Sequence, residues 1–183
     1  MTAAVPRNET PMRGEDLEPI FREHHAAVFR AGYRVTGNAS DAEDVLQTVF
    51  LRLARRDGDA AALENLPAYL HRAAVNAALD VMRARQGIRD VPLDDVAPVL
   101  AAPAHERPDR AHAAGEIRAW LRQALARLHP RTAEMFVLRF FEGLDNQEIA
   151  RQLDTTPGTV AVTLSRARDR LEQEYRGFAG GVA

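Results

Sequence analysis

A chain of 183 residues holds one ordinary domain or two small ones, and is too short for a strand-and-helix barrel. Hydrophobic residues at 46% and charged residues at 27% exclude a disordered chain and a membrane bundle, while the absence of cysteine removes disulfides, thiolate nucleophiles and cysteine metal sites. All 24 basic residues are arginines, set against 26 acids, so the net charge of -2 hides two signs whose distribution along the chain matters more than their sum.

Residues 1–15 are polar, carry Pro6 and Pro11 and lack an apolar signal core, which predicts a disordered start. From Asp16 to Val35, the residues Leu17, Ile20, Phe21, His24, Val28, Ala31 and Val35 recur at three- and four-residue steps, the stripe of one amphipathic helix. Ser40 and Glu43 stand at the S-x-x-E spacing, so a capping box is expected to open a second helix that buries Ala42, Val45, Leu46, Val49, Phe50 and Leu53. After the charged stretch Arg55 to Glu64, Pro67 occupies a first-turn position, and Leu66, Leu70, Ala73, Ala77 and Val81 form a third stripe. Residues 16–85 therefore predict a three-helix domain.

Periodicity stops at Gln86. Pro92, Pro98, Pro103 and Pro108 interrupt any helix and predict a flexible, protease-sensitive linker over 86–111. Ile117, Leu121, Leu125 and Leu128 restore the helical period up to Pro130, and Ala133, Phe136, Val137 and Phe140 continue it until Gly143 closes the turn. Asp145, boxed by Glu148 and stapled by Leu144 and Ile149, opens a short helix that ends at Leu153. Asp154 and Thr155 then make a tight turn, Thr156 caps, and Pro157 starts a last helix with Val160, Leu164, Ala167 and Leu171 buried. The second domain spans 112–176, with 177–183 as a flexible tail. No strand-like alternation occurs, so the expected fold is all-α: two small helical domains joined by a flexible linker, the second containing a helix-turn-helix. No apolar run approaches the roughly 18 residues that span a bilayer, which predicts a cytoplasmic protein with no membrane insertion.

Charge is segregated on this framework. Arg166, Arg168, Arg170 and Arg176 lie on the last helix, where phosphate contact is the natural use of a local positive excess. Arg72, Asn76, Asp80 and Arg83 make a polar stripe on the third helix, which a solvated face with an Asp80–Arg83 pair would also explain. Asp41, Glu43 and Asp44 open the second helix, where acids suit the positive end of a helix dipole. Enzyme chemistry has little to stand on. Ser40 and Ser165 are the only serines and both sit in helices, the six histidines show no ligand pairing, and there is no glycine-rich phosphate loop; no catalytic group, cofactor or metal is expected. His24 and His25 read as one core and one surface histidine.

The run Asp41-Ala42-Glu43-Asp44-Val45 with Gln47, Phe50 and Arg52 resembles the polymerase-docking helix of bacterial sigma factors. The helix from Tyr69-Leu70 through Asn76, Asp80 and Arg83 resembles their promoter-melting helix. Independently, Leu128, Pro130 and Arg131, the run Val137-Leu138-Arg139, Gly143-Leu144, Glu148-Ile149-Ala150, Gly158-Thr159-Val160 and Arg166-Ala167-Arg168 are similar to the domain that reads the promoter's -35 element. The chain thus resembles the extracytoplasmic-function (ECF) sigma factors of the sigma-70 superfamily from about Leu17 to Glu174, and two motifs in the right order are more specific than either alone.

The resemblance implies core RNA polymerase and promoter DNA as partners, and an anti-sigma factor as restraint. It implies that Asp41, Glu43, Asp44 and Gln47 face the arginine-rich clamp helices of polymerase. The Arg55–Asn65 loop would hold an unstacked base, with Asn65, Arg72, Asn76 and Arg83 on the -10 element. Thr156, Thr159, Thr163, Arg166 and Arg170 would face the -35 element. Three features depart from the family pattern: Asp154 stands for a turn glycine, which aspartate tolerates, Ala161 and Thr163 stand for residues that are often basic, with Val162 between them, and the linker carries no distinguishing charge. The alternative is a helix-turn-helix repressor or activator that acts without polymerase docking. It explains the second half equally well and leaves the acidic and Arg/Asn-bearing helices of the first half unexplained.

Overall fold

The structure, a computed structural model, describes residues 14–56, 65–87 and 110–180. Among these residues there are seven helices and no strand: α1 (Gly14–Thr36), α2 (Ala39–Ala54), α3 (Leu66–Arg85), α4 (Arg110–Ala126), α5 (Pro130–Phe140), α6 (Asn146–Gln152) and α7 (Pro157–Gly180). The chain divides by compactness into two units, Met1–Ala78 and Leu79–Ala183, a division that falls inside α3. The predicted linker lies outside the described residues except at its ends, as do residues 1–13 and most of the Arg55–Asn65 loop.

In the first unit α1 and α2 form a helical hairpin whose sharp turn follows from two residues. Gly37 takes a left-handed φ of 67° and returns its N–H to the Tyr33 carbonyl at 2.7 Å, a conformation that costs glycine nothing. Asn38 is then extended, and its Oδ1 accepts the Asp41 N–H at 3.1 Å. The expected Ser40–Glu43 capping box is therefore corrected to an Asn38 cap, because the turn completed at Gly37 lets the helix start one residue before Ser40. Val28, Ala31 and Val35 of α1 and Ala42, Val45, Val49 and Leu53 of α2 are buried as the periodicity predicts, and Leu46 is only half-buried. Gly32 sets the spacing of the hairpin, since a Cβ there would meet the Val45 side chain at 3.1 Å. Phe21, expected within the buried stripe, is exposed but rests edge-on against Phe50 at 4.9 Å between ring centres. His24 is half-buried and His25 exposed.

The α3 core face differs from the expected stripe. Leu70 and Ala77 are buried with Ala74, Val75, Ala78, Leu79 and Met82, whereas Leu66, Ala73 and Val81 are only half-buried. So many small and apolar residues clothe this helix that it buries a broad arc, and a single three–four stripe picks the wrong edge of it.

In the second unit the expected core is present: Leu125, Leu128, Ala133, Phe136, Val137, Ile149, Ala150, Leu153, Val160, Leu164, Ala167 and Leu171 are all buried. Phe140 is the correction. It is 49% exposed, because it belongs to the last turn of α5 and leans on Phe136 at 4.5 Å instead of entering the core. Ile117, placed in the α4 stripe by its period, is also exposed. At the other end of the unit, Trp120 of α4 meets Tyr175 edge-on at 5.0 Å and Phe178 at 6.1 Å. This aromatic contact carries α7 on to Gly180, through residues expected to form the tail.

Candidate protein and nucleic-acid interfaces

The acidic start of α2 splits into two roles. Asp41 is 3% exposed, so its carboxylate does not present itself to a partner as the motif implied; it lies in the first turn on the core side, beside Ala42 and Val45. Glu43, Asp44 and Gln47 are exposed. At about 100° per residue the buried stripe of Ala42, Val45, Val49 and Leu53 has Asp44, Gln47 and Leu51 diametrically opposite. Leu51, 54% exposed, was missed by motif reading although its place in the wheel around Val45 and Val49 was available in the sequence. The outward line of α2 is thus an acid, an amide and an apolar side chain in succession, a pattern suited to a protein partner.

On α3 the candidates are unequal. Asn65 is exposed, and its Oδ1 caps the helix by accepting the Ala68 N–H at 3.0 Å. Beside it the Arg56 guanidinium lies over the Tyr69 ring, 5.2 Å from its centre, which ties the end of α2 to the start of α3. Arg72 and Asn76 are half-buried on successive turns. Arg83 is only 8% exposed, and its Nη1 donates to Asp80 Oδ1 at 3.3 Å. The polar stripe is therefore corrected at Arg83: it is buried at the edge of the same broad arc as Leu79 and Met82, and its Nη1 is held by the exposed Asp80.

The helix-turn-helix is built as its sequence predicts. Asp145 Oδ1 accepts the Glu148 N–H at 2.8 Å while Glu148 Oε2 accepts the Asp145 N–H at 2.7 Å, a complete capping box at the start of α6. Asp154 adopts the left-handed conformation, φ 49°, expected of the residue standing for a turn glycine. Thr156 Oγ1 accepts the Thr159 N–H at 3.1 Å to open α7 at Pro157. Two arginines hold this corner by its carbonyls: Arg131 donates to Leu153 O and Arg139 to Leu144 O, the latter at 2.9 Å. Their structural use was not legible from the motif, in which they are only basic positions.

The outward face of α7 is rotated from the expected one. Opposite the Val160, Leu164, Ala167 and Leu171 stripe, the wheel places Gly158, Val162, Ser165 and Asp169, all exposed, with Arg166 adjoining them. The threonines flank this line: Thr156 and Thr159 are exposed with their hydroxyls 2.9 Å apart, and Thr163 is half-buried. Arg170 Nε donates to Glu174 Oε1 at 3.1 Å, and the same carboxylate takes Arg127 at 2.9 Å, so Arg170 belongs to a bridge across the unit. Arg166 is exposed, and among the described residues no carboxylate holds it.

Among the described residues no group of three or more His, Asp or Glu side chains is placed to hold a metal ion, and no helix is long and apolar enough to cross a membrane.

The sequence matches the sigma-70 region 2 family model over residues 20–88 and the sigma-70 region 4 model over residues 118–171. It is 34% identical over 160 residues to the ECF RNA polymerase sigma factor SigE of Mycolicibacterium smegmatis, covering 84% of this chain and 59% of that protein. It is 31% identical to the RNA polymerase sigma-E factor of Streptomyces avermitilis over 87% of this chain and 84% of that one. With the ECF RNA polymerase sigma factor SigM of Mycobacterium tuberculosis the identity is 32%, over 85% and 74% of the two chains. A solved structure of the sigma factor RpoE in complex with the anti-sigma factor NepR, from Bartonella quintana, aligns with 88% of this chain and 98% of its own at 20% identity and a TM-score of 0.47. Both matched regions occur in the expected order, region 2 over α1–α3 and region 4 over α4–α7, and the chain belongs to the ECF RNA polymerase sigma factors of the sigma-70 family.

Proposed function

We propose that this sigma factor docks on core RNA polymerase through the outward line of α2, reads the -35 element with α7, and holds the melted -10 strand along α3 to start transcription. The observation that carries the reading is the pairing, in one chain, of an acidic and apolar docking line on one compact unit with a capped helix-turn-helix on the other. A repressor needs only the second. In this reading Glu43, Asp44 and Gln47 make charge-assisted bonds to cationic clamp helices, and Leu51 fills the apolar centre of that contact. Asn65, Arg72 and Asn76 address the single strand, while Arg83 positions α3 behind them. Thr156 and Thr159 flank the major-groove contact, Thr163 borders the core, and Arg170 braces the unit. The chain acts by binding, without chemistry of its own, in the cytoplasm with the polymerase. An anti-sigma factor is the partner that restrains it.

Run-off transcription with purified core polymerase on a promoter library tests the function. Transcripts that start at defined sites only when the chain is added are the expected result. Tight duplex binding by the chain alone, with no polymerase-dependent initiation, would return the protein to the repressor class.

Arg166 supplies a second test. If it holds a phosphate, Arg166→Ala weakens holoenzyme binding alike on all promoters and flattens the log–log salt slope by about 0.9. If it reads guanine, roughly 1–3 kcal/mol is lost at one base pair only. No loss of either kind removes Arg166 from the interface.

A further inference from the structure

We propose that Val162 is a specificity-determining residue that reads the 5-methyl group of a thymine in the -35 element; this rests on the reading of α7 as the recognition helix. The starting point is position. Val162 is 51% exposed and lies on the line directly opposite the buried Val160, Leu164, Ala167 and Leu171 stripe, so it points away from the unit that α7 packs on. In a helix-turn-helix the second helix presents this outward line, in its amino-terminal half, to base edges in the major groove. Gly158, the first residue on that line, has no side chain, so Val162 is the first group on it that projects toward the groove.

The line also has an end. Asp169 stands on it two turns beyond Val162 and is exposed. A carboxylate pressed against a duplex meets phosphate of its own sign, so close approach stops short of Asp169. The contacting segment is then bounded by Gly158 and Asp169, with Val162 near its centre and Ser165 and Arg166 beside it.

Chemistry selects the base. The isopropyl group has neither donor nor acceptor, and covering guanine O6 and N7, the cytosine amino group, or adenine N6 and N7 with it would strip those polar atoms of water without replacing their bonds. Thymine alone of the four bases offers the groove an apolar surface, its C5-methyl group. An isolated exposed valine on a helix surface requires no partner. This one sits at the point of the fold where a side chain meets bases, and as a β-branched residue it is a weaker helix former than the alanine before it. Its neighbours Ala161, a bare methyl, and Thr159, a hydroxyl with a methyl, leave Val162 as the largest apolar contact on the leading turns.

The test uses holoenzyme assembled from the full chain and core polymerase. A promoter library randomised over the upstream element is selected for productive initiation by the wild type and by Val162→Ser. The expected result is one position enriched for thymine with the wild type and not with the variant. On a single selected promoter, deoxyuridine in place of that thymine removes only the methyl group. It should lower holoenzyme affinity about fourfold with the wild type and leave Val162→Ser unaffected. Unchanged wild-type affinity on the deoxyuridine promoter, or an equal loss for both proteins, overturns the proposal while leaving the sigma-factor reading intact. Failure of the wild-type holoenzyme to initiate on any library member would instead strike at that reading.

Discussion

Asp44→Arg is expected to lower assembly of the chain with core polymerase by at least about a hundredfold while leaving its helices folded. The substitution places a cation where the docking reading requires an anion to meet cationic clamp helices, and like charges brought together across an interface cost several kcal/mol, of which about 3 suffices for the hundredfold loss. Its structural cost is small. Asp44 is exposed and lies beyond the first turn of α2, outside the reach of the helix dipole, so the change in unfolding free energy should stay within about 0.5 kcal/mol. Asp41 supplies the contrast. It is buried in the first turn, where the dipole and burial both act on it, so Asp41→Ala should lower the melting temperature before it touches docking. Fluorescence anisotropy of labelled chain titrated with core enzyme, beside a thermal melt, reads both effects. Undiminished binding by a folded Asp44→Arg protein would remove Asp44 from the docking surface and leave it an ordinary exposed charge.

The same contrast shows how far a sequence can be read. Caps and turns were legible where one residue decides the backbone: Gly143, the Asp145–Glu148 box, Asp154 and Thr156 take the expected roles because each supplies a bond or a dihedral that its neighbours cannot. The α2 cap was misplaced because Asn38 and Ser40 are both good caps two residues apart, and the choice was made by Gly37 upstream. Burial was legible on α7, whose stripe is flanked by polar residues on both sides, and not on α3, where alanines at 73, 74, 77 and 78 leave the period ambiguous. Candidate site residues followed the motif, and a motif records residue type without orientation. Asp41 and Arg83 are the cost of that, since each carries a charge of the right sign on a side of its helix that the packing covers. Leu51 is the converse: an apolar residue that no charge-based search selects, found only when the buried stripe fixes which direction is outward.

Replacing Arg72 and Asn76 together by alanine is expected to leave holoenzyme formation and closed-complex binding in place and to reduce the permanganate reactivity of melted promoter thymines tenfold or more. Open complex forms only if the strands, once separated, are held apart more favourably than they re-pair, and in the proposed reading the factor's share in this is phosphate contact and capture of unstacked bases. Arg72 and Asn76 lie one turn apart on α3 and are half-buried, so both residues are partly open to solvent. Removing two such contacts at roughly 1 kcal/mol or more each moves the melting equilibrium by the tenfold expected. Arg83 separates this from a general weakening of α3. Because its guanidinium is buried against the helix and paired with Asp80, Arg83→Met should keep the packing volume and leave melting close to normal, whereas Arg83→Ala should lower stability through lost packing. Should Arg83→Met abolish melting in a protein of unchanged thermal stability, the arginine leaves its pocket to meet DNA, and the assignment of Arg83 as a positioning residue is wrong. Normal melting by the Arg72 and Asn76 double variant would instead return the α3 stripe to an ordinary polar surface and move the strand-holding role to another element.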